Sequence, residues 1–315
     1  MSWKDKFTCC IDRWNKRCIV ISPDLDGIIS AVALCHIYGS RIIGIYDTRR
    51  IIVFDEADRE ELVNALWLDH DIQNKNILSI GHHLLQIGNE ELVKFNEDSF
   101  NPNVYFGMNW RKCFLNRTKN TLNKFPYSTI ILLTEALNIR IPNIGTKGYS
   151  LILQADGLVD VSLEYKENCL KWKDMMFDNS FIINSIVKGE YFQEKYKWIH
   201  SLLIDDLSSM NLLNKSSSKS MTFKSDKSKE WSFCKGYQSL IDKTNVDALN
   251  EIIRYICINT GWLLSRSQLP TKVTSINRMN VSSINPNNIN LNQLNSSNVF
   301  SFAITFRDTL KVTTV

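Results

Sequence analysis

The sequence predicts an α/β fold on a largely parallel sheet, with a helical segment and a smaller C-terminal α+β part. Three observations carry this. Short continuous apolar runs alternate with amphipathic stretches through the first half of the chain, as expected of strands buried on both faces and joined by crossover helices. From about 162 to 213 the apolar spacing shifts to three and four residues, which is helical. A Ser/Lys-rich stretch, 214–230, then breaks the pattern.

Taken in order, 17–22 (RCIVIS) reads as a buried strand and 27–39 as a helix stopped by Gly39. Runs at 41–47, 50–55, 65–69 and 76–81 read as strands, and 127–139 as a helix stopped before Pro142. The run 149–157 is a further apolar element ending in an acid. Residues 189–213 and 246–260 read as helices, 275–298 as an Asn-rich stretch that is either an irregular loop or compositional drift, and 300–315 as two closing strands. The expected division is an α/β metal-binding domain at 1–160, a helical connector at 161–213, a flexible linker at 214–230, and a substrate-selecting or lid domain at 231–315.

Composition excludes little. The 315 residues are 44% hydrophobic and 22% charged, with a net charge of +4 that permits a nucleotide or nucleic-acid partner without requiring one. Eight cysteines form no C-x-x-C pair, which argues against a zinc knuckle and for reduced thiols in a cytoplasmic protein. No run reaches the roughly 18 apolar residues of a membrane span, so no membrane partner is expected.

In an open α/β sheet, ligands gather beyond the carboxyl ends of the strands. The polar residues following apolar runs are therefore the candidates: Asp24 and Asp26; Asp69, His70 and Asp71; His82 and His83; and Asp156. Three of the chain's five histidines fall between 70 and 83. Carboxylates with a few imidazoles suit Mn2+ or Mg2+ better than structural zinc. Each residue also has a plainer reading: Asp24 and Asp26 as a turn and helix cap, His82 and His83 as solvated loop residues, and Asp156 as the terminal turn of a helix ending at Gly157. His36 and His200 read as structural, and 145–150 lacks the spacing of a phosphate-cradling loop.

The order of these motifs resembles the DHH phosphoesterase superfamily, which includes RecJ-like exonucleases and manganese-dependent pyrophosphatases. SPDLDGIISAVAL is similar to its first motif, LWLDHD to its second, SIGHH to its Asp-His-His signature and LQADG to its fourth, across roughly residues 17–160. The resemblance implies a DHH-type domain with Mn2+ or Mg2+ as cofactor. It implies hydrolysis of a phosphodiester in a nucleotide, oligonucleotide or single-stranded nucleic acid by two-metal water activation. Asp24 would bind one metal, Asp26, His82 and Asp156 the other, with Asp69 bridging and His83 facing the scissile phosphate. The implied catalytic residues are His83, Asp69 and Asp24. Three positions depart from the family pattern: Val20 stands where many members carry His, Ser22 where RecJ-type members often carry an acid, and Gly81 where the signature has Asp. Asp71 is the further acid available as a ligand, with His70 beside it. A non-catalytic DHH-like protein binding a nucleotide or a partner is one alternative. DLDGI also resembles the nucleophile motif of haloacid-dehalogenase-type phosphatases, with Asp24 as nucleophile, Asp26 as general acid and Asp205–Asp206 as a later acidic pair.

Overall fold

The computed structural model describes residues 1–84, 95–108, 124–142, 146–177, 180, 182–184, 190–217, 220–226, 231–232, 246–284, 299–306 and 309–314. Helix α1 (Trp3–Arg13) opens with a capping box between Ser2 and Asp5 and leads into β1 (Cys18–Ile21). Helix α2 (Leu25–Tyr38) starts at Asp24, whose carboxylate accepts from the Gly27 N–H, and stops at Gly39 in the left-handed conformation, φ 72°. From Leu25 to Cys35 every residue of α2 is buried, as expected of a helix apolar all round and packed at the centre of a core.

The chain continues through β2 (Arg41–Tyr46), β3 (Arg50–Phe54), α3 (Arg59–Asn64), β4 (Leu66–Leu68) and β5 (Leu78–Ile80). These strands match the five expected apolar runs to within two residues at each end. Then come α4 (Pro102–Tyr105), α5 (Thr129–Leu137), α6 (Lys147–Gln154), a 3-10 turn (Ala155–Gly157), α7 (Leu158–Glu164), α8 (Lys166–Met176) and α9 (Glu190–Ser209). The last part holds β6 (Leu213–Ser217), β7 (Ser220–Asp226), β8 (Trp231–Ser232), α10 (Asp247–Thr260), β9 (Val273–Arg278), β10 (Asn280–Ile284), β11 (Val299–Phe306) and β12 (Thr309–Thr314).

The main sheet has six strands in the order β5-β4-β1-β2-β3-β9. The pairs β5–β4, β4–β1 and β1–β2 are parallel, and β3 and β9 are added antiparallel. Side chains of β1 alternate between two cores, as the pleat demands: Ile19 and Ile21 face the helices, while Cys18 and Val20 face a cluster with Tyr46, Trp67, Ile72 and Phe300. The three-stranded sheet β10-β12-β11 approaches this second face. The Gln73 N–H donates to the Phe300 carbonyl at 2.7 Å, and Ile72 bridges Ser301.

Two expectations about organisation differ from this structure. Residues 214–217 and 220–226 of the expected linker belong to an antiparallel strand pair that begins at Leu213; residues 218–219 and 227–230 lie outside those described. Nor does the region after 230 stand apart. Residues of α10 join the same core as α1, α2, α5 and α6, and β9 completes the main sheet. Residues 285–298 of the Asn-rich stretch lie outside the described residues, while its start lies in β9 and β10, where its composition does not mark an irregular loop. Among the described residues no helix is long and apolar enough to cross a membrane.

Candidate metal centre

The chain leaves β1 through α2 towards β2 on one side, whereas β4 flanks β1 on the other. The loops beyond β1 and β4 therefore diverge, and the crevice between them is where an open α/β sheet receives ligands. Ser22, Asp24 and Asp26 enter it after β1, Asp69 after β4, and His82 and His83 after β5. Thr129 enters at the start of α5. Asp156 enters from the 3-10 turn between α6 and α7, so its expected place at a helix end ahead of Gly157 and its place beside the other acids are the same place.

Asp26, Asp69, His82 and Asp156 each offer a ligand atom within one 4.8 Å cluster, and His83 forms a second group with Asp69 and His82. The His82 Nε2 atom lies 2.9 Å from Asp156 Oδ2, 3.2 Å from Asp69 Oδ1 and 3.7 Å from Asp26 Oδ2. It is buried and aligned as a hydrogen-bond partner with none of them. A ring nitrogen placed among three carboxylates is available to a metal ion once it gives up its proton. Asp69 and Asp156 both have left-handed backbones, φ 59° and 53°. Asp tolerates that region better than most residues, and such conformations gather at functional sites.

Three carboxylates face one imidazole here, so the cluster is anionic and largely out of water, an arrangement that calls for a compensating cation. The titration shifts report the same imbalance. Burial, then Asp69, push the Asp26 carboxyl up to about 6. Burial opposes a charge on His82, but Asp156, Asp26 and Asp69 outweigh it and hold the ring well above its usual range. Asp69 is also disfavoured by burial, yet His83 and His82 hold it well below the usual carboxylate range. The donor set of hard oxygens and one imidazole fits a divalent ion such as Mn2+ or Mg2+.

The surroundings fix these side chains. Both oxygens of Asp26 accept from the start of α5, the Thr129 N–H at 2.7 Å and the Ile130 N–H at 2.9 Å. The N-cap residue Ser128 makes no side-chain cap of its own, so Asp26 satisfies the free amides of this helix end. Thr129 Oγ1 donates to Asp69 Oδ1 at 3.2 Å, and His83 Nε2 pairs with the same oxygen at 3.0 Å. The side chains of His83 and Asp156, 32% and 28% exposed, open the cluster to solvent.

Asp71, expected as a ligand, stands outside the cluster and has other work. Its Oδ2 accepts the N–H groups of His83 and Leu84 at 2.8 and 2.9 Å, and its Oδ1 accepts from Asn101 Nδ2 at 2.8 Å. It holds the His82–His83 turn from below, helped by Asn103, which donates to the His82 carbonyl at 2.8 Å. Gly81 follows from this: a Cβ there would lie 2.5 Å from the His70 carbonyl oxygen and 3.0 Å from the Asp71 carboxyl carbon. His70 also stands outside both groups. Its ring sits against Tyr46 and Trp67, and burial pushes it down to about 4.

Asp24, also expected as a ligand, belongs to neither group. Its Oδ1 takes the Gly27 N–H and lies 2.7 Å from Ser22 Oγ, which is 2.8 Å from Asp69 Oδ2. One hydroxyl hydrogen serves only one of these acids. A proton on Asp24 completes the chain; burial, then Asp69 and Asp156, push its carboxyl well above the usual range. The acid pair of the dehalogenase-type alternative is elsewhere: Asp206, on α9, pairs with Lys147 and accepts from Tyr255.

Thr129, Asn101 and Asn103 were not among the sequence candidates, and Ser22 stood out only as a departure from the family pattern. A Ser or Thr beside a strand or helix end carries no signal of which distant acid it meets. The chain matches no family model, and no curated protein or solved structure matches it either.

Proposed function

We propose that the protein is a metal-dependent hydrolase of DHH-like type acting on a phosphodiester, in a nucleotide, oligonucleotide or single-stranded nucleic acid. The observation that carries this is His82 Nε2 directed between three acid oxygens from separate elements of the fold. Asp26, Asp69, His82 and Asp156 would hold a divalent ion, which would supply Lewis acidity and lower the pKa of a water. Asp26 is oriented by the α5 amides and Asp69 by Thr129 and Ser22. His83 stands at the solvent mouth, its ring steadied by Asp69, where it would face the phosphoryl group of a bound substrate. The test is manganese-dependent hydrolysis of a phosphodiester panel by the purified chain. Loss of turnover is expected in Asp69→Ala and His82→Ala; unchanged turnover in either refutes the mechanism.

A second reading, a DHH-like protein that binds a nucleotide or partner without turnover, is favoured by Val20. That side chain is committed to the apolar cluster on the far face of the sheet. Nucleotide binding by the manganese-loaded protein with no hydrolysis across the panel selects it.

A further inference from the structure

We infer that the centre holds one divalent ion, at Asp26, Asp69, His82 and Asp156, and that the Ser22 hydroxyl takes the place a second ion would need. This rests on the metal-dependent reading above. A second ion between Asp24 and Asp69 needs both carboxylates turned to a common point and a further ligand from the end of β1. Ser22 Oγ already fills the common point, 2.7 Å from Asp24 Oδ1 and 2.8 Å from Asp69 Oδ2. The seat of this hydroxyl is built into the fold. Ser22 is only 4% exposed, and a Cβ on Gly27 would fall 2.1 Å from its oxygen. The first turn of α2 thus reserves that space for Ser22. The same oxygen of Asp24 caps α2 through the Gly27 N–H. The strand end offers no replacement donor, because Val20 packs with Trp67 and Tyr46 on the opposite face.

Four ligands therefore converge on one point while the neighbouring point holds a hydroxyl. Ser22 is a positioning residue: it orients the Asp69 carboxylate towards the single ion and ties it to Asp24.

Manganese titration of the ion-free chain by calorimetry, with metal analysis and electron paramagnetic resonance, tests this without reference to turnover. The expected result is one ion per chain with the signal of an isolated Mn2+. Asp24→Asn, which retains the cap, is expected to keep that stoichiometry. Asp156→Asn is expected to abolish tight binding. Ser22→Ala is expected to weaken it about 10- to 100-fold, as loss of a ligand's outer partner does, while leaving one ion. Two ions per chain, an exchange-coupled pair signal, or loss of an ion in Asp24→Asn overturns the single-ion centre but leaves the hydrolase reading standing. No ion bound overturns both.

Discussion

Placing an acid at position 81 is expected to damage the protein rather than improve it. Gly81→Ala isolates the cause. The added methyl would begin 2.5 Å from the His70 carbonyl oxygen and 2.7 Å from its carbon. Carbon–oxygen contacts settle at about 3.3–3.6 Å, so one backbone must move by roughly 0.8 Å. Neither is free to do so. The Asp69 and His70 N–H groups both donate to the Ile80 carbonyl, and the Gly81 N–H donates to the Phe100 carbonyl. Overpacking costs about 1–3 kcal/mol, and a loosened hydrogen bond about 1 kcal/mol more. The stiffer unfolded chain returns about 0.4–1 kcal/mol. A net loss of roughly 2 kcal/mol follows for Gly81→Ala from these terms. Gly81→Asp loses more, because its carboxylate meets that of Asp71. Urea denaturation of the ion-free protein measures both. Gly107→Ala is the control: its methyl meets nothing within 4 Å, and only the left-handed backbone, φ 61°, opposes it, for about 1–2 kcal/mol. A Gly81→Ala protein as stable as its parent refutes the close-approach argument.

Other outcomes follow from the same geometry. Asp71→Ala strands two turn amides and Asn101; a loss of about 3 kcal/mol or more in denaturation is expected for removing a buried carboxylate from its donors, together with weaker manganese binding. Manganese affinity, measured by calorimetry, is expected to fall as pH drops, because His82, held well above its usual range, and then Asp26, held up at about 6, take up protons that compete with the ion. In the ion-free chain the folded-state pKa of Asp26 lies above its ordinary 3.8, so its contribution to stability is present below about 3.8 and lost as pH rises through about 6. The thermal shift produced by manganese is accordingly larger at pH 7.5 than at pH 5. Asp206→Asn loses the pairing with Lys147 at a partly exposed site, so a stability change within about 1 kcal/mol and undiminished turnover are expected; lost turnover would revive the dehalogenase-type reading.

The main sheet was legible because its parallel strands are buried on both faces and read as unbroken apolar runs, as in Cys18–Ile21. The hairpin within the expected linker was not: Ser and Lys dominate its strands, and their pairing rests on backbone bonds that leave no mark on composition. Strand β9 was equally hidden, since only Val273 of its six residues is buried. In the site, acids and histidines at strand ends were visible because chemistry restricts the residue types. Their division of labour was not. Asp69 and Asp71 differ by two positions, yet one faces the cluster and the other faces the amides of the next turn. That difference depends on the left-handed kink at Asp69 and on the missing side chain of Gly81.

The pairing of β3 with β9 joins Arg50 to Arg278 across most of the chain. A growing polypeptide can assemble β1, β2, β4, β5 and every residue of the acid–histidine cluster well before residue 273 is made. Until then β3 is a bare edge, with Ile52, Val53 and Phe54 beside unpaired backbone groups. Such an edge recruits strands from other chains, and closing so distant a contact is slow. Versions of this protein cut before β9 should therefore keep the residues of the centre yet self-associate, their yield limited by the open side of the sheet rather than by the chemistry at its ends.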